Sequence, residues 1–386
     1  MTKRPIILDF DGTITTQDTI TTLAHLAITH QASHGLNLQP AWGTIVSSYS
    51  LDLSSHIAHY HPTVEERKTL KQEIEYYRSL KNVESKSFDR VSASGIFKGF
   101  GATDERAQYA AIVDDILASV DLKTVNTRQV RTGLAARLGV DLEGQKWGVQ
   151  EMLQDLITER FDVANQAAGG PAPSTKIKGP PKAWPLGEWH RFGVDAVMGG
   201  LVEGRKGIKE FGNMAAGQGT ACGIVSVNFS RDFVRGVVSA VCPGLAGMDV
   251  VANVPNAAGV LEGFDVYGKG HPKEVIVTSD GKLAAMKELL GYWRKQGEVN
   301  GEEAPHPIYV GDSGTDLECL MEDGVIGIVM TGDGESALMQ TFNRIGVKVI
   351  PIGEFRESEE TSVYWARDFT EIMQSPLFSD SREQIT

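Results

Sequence analysis

An α/β fold, a doubly wound parallel sheet interrupted by a long helical insertion, follows from three observations. Short apolar runs lie at about 5–10, 222–227, 249–254, 307–310, 325–330 and 347–352, and the first stops abruptly at acids, as buried strands of a parallel sheet do. From about 205 onward these runs alternate with helix-period segments, the pattern of βαβ crossovers. The first run is instead followed, from about 20 to 160, by mostly helical periodicity. Its sheet partners must therefore come from the later half of the chain.

The elements bear this out in order. Ile6-Ile-Leu is an apolar strand that runs into Asp9, and a helical pattern follows at Ile20, Leu23, Ala24, Leu26 and Ala27. Val64–Tyr77, Ala107–Ala118 and Gln150–Phe161 carry the same period. Residues 165–190 are rich in glycine and proline and read as a mobile surface connector. A helix over 207–216, a strand at Cys222–Val227 and a helix from Arg231 begin the second half. The predicted division is a core made of 1–19 and 200–386, with a helical cap at 20–199.

Bulk properties narrow the function. The 386 residues suit two domains or one with an insertion, and a content of 41% hydrophobic and 23% charged residues is ordinary for a globular protein. A net charge of −13 disfavours nucleic acid and anionic membranes as partners. It permits a small phosphorylated metabolite, because a bound divalent cation inverts the local field. Three cysteines without a Cys-x-x-Cys, no secretory leader and no long apolar stretch predict a soluble, cytoplasmic protein. Oligomeric state is not legible.

The chemistry gathers at strand ends. Asp9-Phe10-Asp11-Gly12-Thr13 closes the first strand. A pleated strand sends i and i+2 to one face, where two carboxylates repel unless a cation or a proton intervenes; a plain Asp-Gly turn is the bland alternative. Ser226-Val227-Asn228 ends a second strand, and Lys282 follows Ser279-Asp280-Gly281 at a helix start. Gly311-Asp312-Ser313-Gly314-Thr315-Asp316 ends another strand. Ligands of open α/β sheets bind outside the carboxyl ends of the strands. These groups suit phosphoryl transfer through a covalent aspartyl phosphate. One carboxylate attacks, a lysine and a hydroxyl hold the phosphate oxygens, and a second carboxylic acid moves the proton. Mg²⁺ suits such an all-oxygen site. The bland alternatives are a helix cap for Ser226, a helix N-terminus for Asp316 and a solvated surface charge for Lys282.

The ordered set Asp9-x-Asp11-x-Thr13, Ser226, Lys282 and Gly311-Asp312-x-x-x-Asp316 resembles the haloacid-dehalogenase-like phosphatases. That resemblance implies a Rossmann-like core with Asp9 as nucleophile and Asp11 as general acid/base. It implies Mg²⁺ held by Asp9, Asp312 and the Asp11 backbone carbonyl. Phosphate contacts would come from Gly12, Thr13, Ser226, Val227, Asn228 and Lys282, and Asp316, Ser313 and Asp232 would support them. The insertion resembles the family's helical-cap subgroup, that of phosphoserine phosphatase, but Ser226-Val227-Asn228 departs from its Ser-Gly-Gly.

A closer resemblance is to the phosphatase domain of plant thiamine monophosphate phosphatases and its fungal single-domain relatives. It rests on Arg90-Val-x-x-Ser94-Gly95-Ile-Phe97-Lys98-Gly99, Ser226-x-x-Phe229-x-x-Asp232-Phe-Val-Arg235 and Gly311-Asp312-Ser313-x-x-Asp316-Leu-x-Cys319-Leu. It implies thiamine monophosphate as substrate. Another small phosphate ester (a sugar-enol phosphate, pyridoxal phosphate, a nucleoside monophosphate) is the alternative, and a non-catalytic scaffold a distant third. Residues 120–200 have no counterpart in this resemblance.

In the cap, Trp42, Tyr49, Phe97 and Phe100 could stack on a substrate ring or pack as core. Arg90 and Lys98 could read a distal polar group or lie in water. Six of the nine histidines fall within 25–61, a conceivable zinc site or a set of surface side chains.

Overall fold

The computed structural model describes residues 4–98, 188–256, 258–263, 274–296, 305–356 and 363–378. All of these lie in one compact unit, Met1–Gly101, Glu188–Val266 and Pro272–Thr386. A second unit, Ala102–Gly187 with Tyr267–His271, lies outside the described residues. So do the helices expected at 107–118 and 150–161 and most of the connector at 165–190.

Seven strands form one sheet, and every pairing in it is parallel. In chain order they are β1 (Ile6–Leu8), β2 (Cys222–Val225), β3 (Asp249–Val251), β6 (Ile308–Gly311), β7 (Ile326–Met330), β8 (Ile350–Pro351) and β9 (Val363–Ala366). Across the sheet the order is β3-β2-β1-β6-β7-β9-β8. The doubly wound sheet expected from the sequence is present. β1 lies between β2 and β6, with Leu8 level with Ile224 on one side and Val310 on the other. All three β1 residues are buried, which explains the unbroken apolar run. A short antiparallel pair, β4 (Val254–Pro255) and β5 (Leu261–Glu262), follows β3.

β9 is not evident from the sequence. It pairs with β7 and moves the 347–352 run outward to β8. Pro351 in β8 has no N–H to donate, and an edge position tolerates that.

Helices α1 (Ile20–Ser33), α2 (Gln39–His59), α3 (Leu70–Ser79) and α4 (Lys81–Ser94) fill the first part of the insertion, and α5 (Glu188–Met198) closes it. The helix expected from Val64 starts instead at Leu70, where a capping box fixes its first turn: the Gln72 N–H donates to Thr69 Oγ1 at 3.3 Å and the Thr69 N–H to Gln72 Oε1 at 3.1 Å. Past β1 come α6 (Ile208–Gln218), α7 (Arg231–Val241), α8 (Ser279–Gln296), α9 (Leu317–Leu320), α10 (Ala337–Arg344) and α11 (Phe369–Gln374). No helix of the described residues is long and apolar enough to cross a membrane.

The helices of the insertion that are described share the compact unit of the sheet. α3 is tied to it by charge. Glu73 is fully buried and accepts from Arg67 Nε at 2.9 Å and from Arg344 of α10 at 2.5 Å. The Arg67 guanidinium lies 3.9 Å over the Tyr76 ring. One turn on, Arg78 grips Glu318 of α9. Aromatic packing joins the insertion to the sheet layer as well: Phe97 meets Trp189 at 5.2 Å and Phe229 at 5.9 Å between ring centroids.

Candidate functional site

The carboxyl ends of β1 and β6 bring the acids together. Asp9 follows Leu8 directly, and its N–H donates to Val310 O at 2.8 Å. Asp312 is the first residue beyond β6. Gly12 adopts φ +72°, and a Cβ there would lie 2.2 Å from Asp312 Oδ2. The missing side chain is therefore what lets the β1 loop close over Asp312. Thr13, fully buried, donates from Oγ1 to Asp312 Oδ1 at 3.2 Å.

Lys282 lies in the first turn of α8 and is 1% exposed. Its ammonium meets Asp9 Oδ1 at 2.7 Å, Asp316 Oδ1 at 2.6 Å and Thr315 Oγ1 at 3.3 Å. These use its three donors. Asp316 accepts on both oxygens. Lys282 and the Tyr309 hydroxyl, at 2.7 Å, meet Oδ1. The N–H groups of Asp312 (3.1 Å) and Ser313 (3.0 Å) and the Ser313 hydroxyl (3.0 Å) meet Oδ2.

Asp11 has a different set of partners. β1 ends at Leu8, so the pleat that predicted a shared face for Asp9 and Asp11 stops before either. Asp11 Oδ1 accepts from the Thr19 N–H at 2.8 Å and the Thr19 hydroxyl at 2.6 Å, and Oδ2 from Asn228 Nδ2 at 2.9 Å. Asn228 thus links the end of β2 to the β1 loop. Its own N–H donates to Ser226 Oγ at 3.0 Å, and Ser226 is 1% exposed immediately past β2.

Electrostatics follow from burial. Asp9 is pushed well above the usual carboxylate range by desolvation and then by Asp316, with Lys282 opposing. Desolvation and Asp316 raise Asp312 to about 6, again against Lys282. Asp11 reaches about 6 through desolvation and the neighbouring Asp18, against the Thr19 and Asn228 hydrogen bonds. Burial alone would push the Lys282 ammonium down, but Asp316 and Asp9 outweigh it and raise it. The Asp9 and Asp312 carboxyls present oxygens within 4.8 Å of each other, a crowding of acids that a cation or a shared proton relieves.

Among the described residues, one group of three offers metal-ligating atoms within 4.8 Å of one another: Asp9, Asp312 and Asp316. Asp316 is committed to Lys282, Tyr309 and the backbone, which leaves Asp9 and Asp312 to face a cation. Their donors are all oxygen, the set that a hard divalent ion prefers. Three of the cap histidines bond elsewhere: His56 with Ser79 at 2.9 Å, His59 with Ser55 O at 2.7 Å and His34 with His30 O at 3.0 Å.

Other residues singled out in the sequence have separate surroundings. Asp232, in the first turn of α7, pairs with Arg231 at 3.1 Å and Arg235 at 3.9 Å. Phe97 and Trp42 are buried in the hydrophobic core, at 0% and 6% exposure. Tyr49 donates to Glu84 at 2.9 Å, and Arg90 pairs with Asp52 at 2.5 Å. The Lys98 carbonyl accepts from Gln31 at 2.6 Å, and Val227 O accepts from Asn253 at 3.0 Å.

Sequence reasoning missed several contributors. Arg205, just before α6, donates from Nε to Thr13 O at 3.1 Å and from a terminal nitrogen to Gly12 O. Asn253, fully buried, bonds Val227, Asn228 and Ile276 and so ties the β2 end to the lead-in of α8. Thr19 and Tyr309 complete the set. Each comes from a position with no fixed spacing to Asp9, and only Arg205, an arginine opposite an acidic loop, carries any compositional hint.

A family model, DEK C terminal domain, matches residues 104–159, outside the described residues. No curated protein matches the chain. Among solved structures, a phospho-aspartyl intermediate analogue of phosphoserine phosphatase is 12% identical with a TM-score of 0.37, covering 97% of this chain and 99% of that one. A substrate-bound phosphoserine phosphatase complex is 11% identical, TM-score 0.37, with 97% and 98% covered. A phosphoserine phosphohydrolase-like protein from Francisella tularensis subsp. tularensis SCHU S4 is 13% identical, TM-score 0.34, with 96% and 98% covered. The fold stands on the strand order above and the site on its own contacts.

Proposed function

We propose that this chain is a Mg²⁺-dependent phosphomonoesterase of the haloacid-dehalogenase-like type. One observation carries the reading: Asp9, at the head of the β1 loop, meets Lys282 at 2.7 Å and has a carboxylate oxygen within 4.8 Å of one from Asp312. A nucleophilic carboxylate, a fixed cation and a metal-ligating acid thus converge from three chain segments.

In this reading Asp9 attacks phosphorus and the bond to the leaving oxygen breaks. Asp11, protonated below about 6, gives that oxygen its proton. Water then attacks the aspartyl phosphate, Asp11 takes its proton, and Asp9 departs as carboxylate. Lys282 and Ser226 hold the non-bridging oxygens. Mg²⁺, held by Asp9 and Asp312, would offset the repulsion between carboxylate and phosphate.

The substrate we propose is a small phosphate monoester, and specifically thiamine monophosphate, on the sequence motifs at 90–99, 226–235 and 311–320. A sugar-enol phosphate, pyridoxal phosphate or a nucleoside monophosphate is the alternative. Hydrolysis of an aryl phosphate with Mg²⁺, lost in Asp9→Asn, supports the class. A wild-type protein that releases no phosphate from any ester of a metabolite panel returns the chain to a scaffold. Turnover of thiamine monophosphate no faster than the aryl ester removes the specific substrate and leaves the class.

A further inference from the structure

Tyr309 occupies the second position of β6, inside the run Ile-Tyr-Val-Gly, and is fully buried. A phenylalanine would fill that volume without needing a partner, so the hydroxyl is the feature to explain. It donates to Asp316 Oδ1 at 2.7 Å, the same oxygen that receives Lys282 Nζ at 2.6 Å. The other Asp316 oxygen is held by the Asp312 and Ser313 N–H groups and the Ser313 hydroxyl.

We infer that Tyr309 is a positioning residue for phosphoryl transfer: its hydroxyl holds Asp316 Oδ1 from within the sheet, so that the Lys282 ammonium stays directed at Asp9 and at a phosphoryl group there. The inference rests on the phosphomonoesterase reading. Two donors on one carboxylate oxygen share its charge, so Asp316 orients the ammonium without monopolising it. With the hydroxyl gone, Oδ1 faces Lys282 alone. The Lys282–Asp316 pair tightens at the expense of the 2.7 Å contact to Asp9. Burial and Asp316 push the phenol well above its ordinary range, so it remains a donor at every working pH.

The test is Tyr309→Phe, which deletes one oxygen and keeps the volume. Lysine ¹⁵N labelling reports the Lys282 ammonium directly, its resonance assigned by its loss in Lys282→Arg. Kinetics with an aryl phosphate and Mg²⁺ run alongside. The expected result is a shifted Lys282 resonance and a kcat lowered about tenfold, with KM within twofold and the melting midpoint within a few degrees. An unmoved Lys282 resonance overturns the inference whatever the activity. So does an unchanged kcat in an active enzyme, or an effect confined to KM. A wild-type protein without phosphatase activity whose Lys282 resonance still moves in Tyr309→Phe upholds the Tyr309–Asp316–Lys282 coupling, and the phosphomonoesterase reading alone fails.

Discussion

Gly12→Ala isolates the contact that brings the β1 loop to Asp312, the acid proposed above to face the metal. The backbone at Gly12 has φ +72°, which costs an alanine ~1–2 kcal/mol. The added Cβ would sit 2.2 Å from Asp312 Oδ2, 2.6 Å from Cγ and 2.9 Å from Oδ1. The nearest carboxylate oxygen must retreat by roughly 1.3 Å to reach ordinary van der Waals separation. Retreat is not free: Asp312 Oδ1 receives Thr13 at 3.2 Å, and Arg205 holds the Gly12 and Thr13 carbonyls. Together these give a loss of about 2–3 kcal/mol, or a fall of roughly 3–5 °C in melting midpoint for a unit of this size. Mg²⁺ at a hundred times its Kd stabilises the wild type by about 2.7 kcal/mol, and the displaced Asp312 should forfeit most of that. Calorimetry with and without Mg²⁺ measures both quantities, with no need for a substrate. A variant that melts like the wild type, or gains as much from Mg²⁺, refutes the steric argument.

Asp11 and Asp312 are both raised to about 6, chiefly by burial. Their contribution to stability is therefore complete below the ordinary value of 3.8 and is lost as pH climbs through about 6. Metal-free melting midpoints should fall across that window, less steeply in Asp11→Asn. Mg²⁺ should oppose the fall, because it favours the ionised Asp312. Arg205→Ala should lower kcat about tenfold by freeing the Gly12 and Thr13 carbonyls, with partial recovery on adding methylguanidinium; an unaffected kcat would remove Arg205 from the site. Arg67→Met strips one partner from the buried Glu73 and should cost about 3 kcal/mol, read as a lowered urea midpoint at constant slope.

The parts of the site legible in the sequence are those whose geometry is local. Asp9, Ser226 and Asp312 can be read because each directly follows an apolar strand, and a parallel sheet aligns strand ends without help from side chains. Lys282 emerges from the same logic one element later. Arg205 and Asn253 reach the site through contacts far apart in sequence, and Tyr309, though only seven residues from Asp316, sits among strand residues that do not set it apart from core. Tyr309 in particular reads as one more apolar strand residue. Periodicity also leaves Trp42 and Phe97 open between core and ligand; only their neighbours decide, and those are Trp189 and Phe229 for Phe97. β9 is not legible because four residues carry too little pattern to separate a strand from a loop. The helical reading of 104–159 did not reveal the DEK C terminal domain match, because helical period reports burial and not kinship.

By chain order α3 belongs to the insertion, yet Glu73 answers Arg344, Arg78 answers Glu318, and the Tyr77 ring covers Gly314 so closely that a Cβ there would lie 2.1 Å from it. In amide exchange, α3 should therefore open together with β6 and α9, in the slow class of the sheet, and not with the faster helical surface around it. Trimming the chain from residue 20 to 199 would leave two charges on the sheet side without their counterparts and bare the loop that carries Asp312. The segment that looks dispensable by topology is a wall of the site.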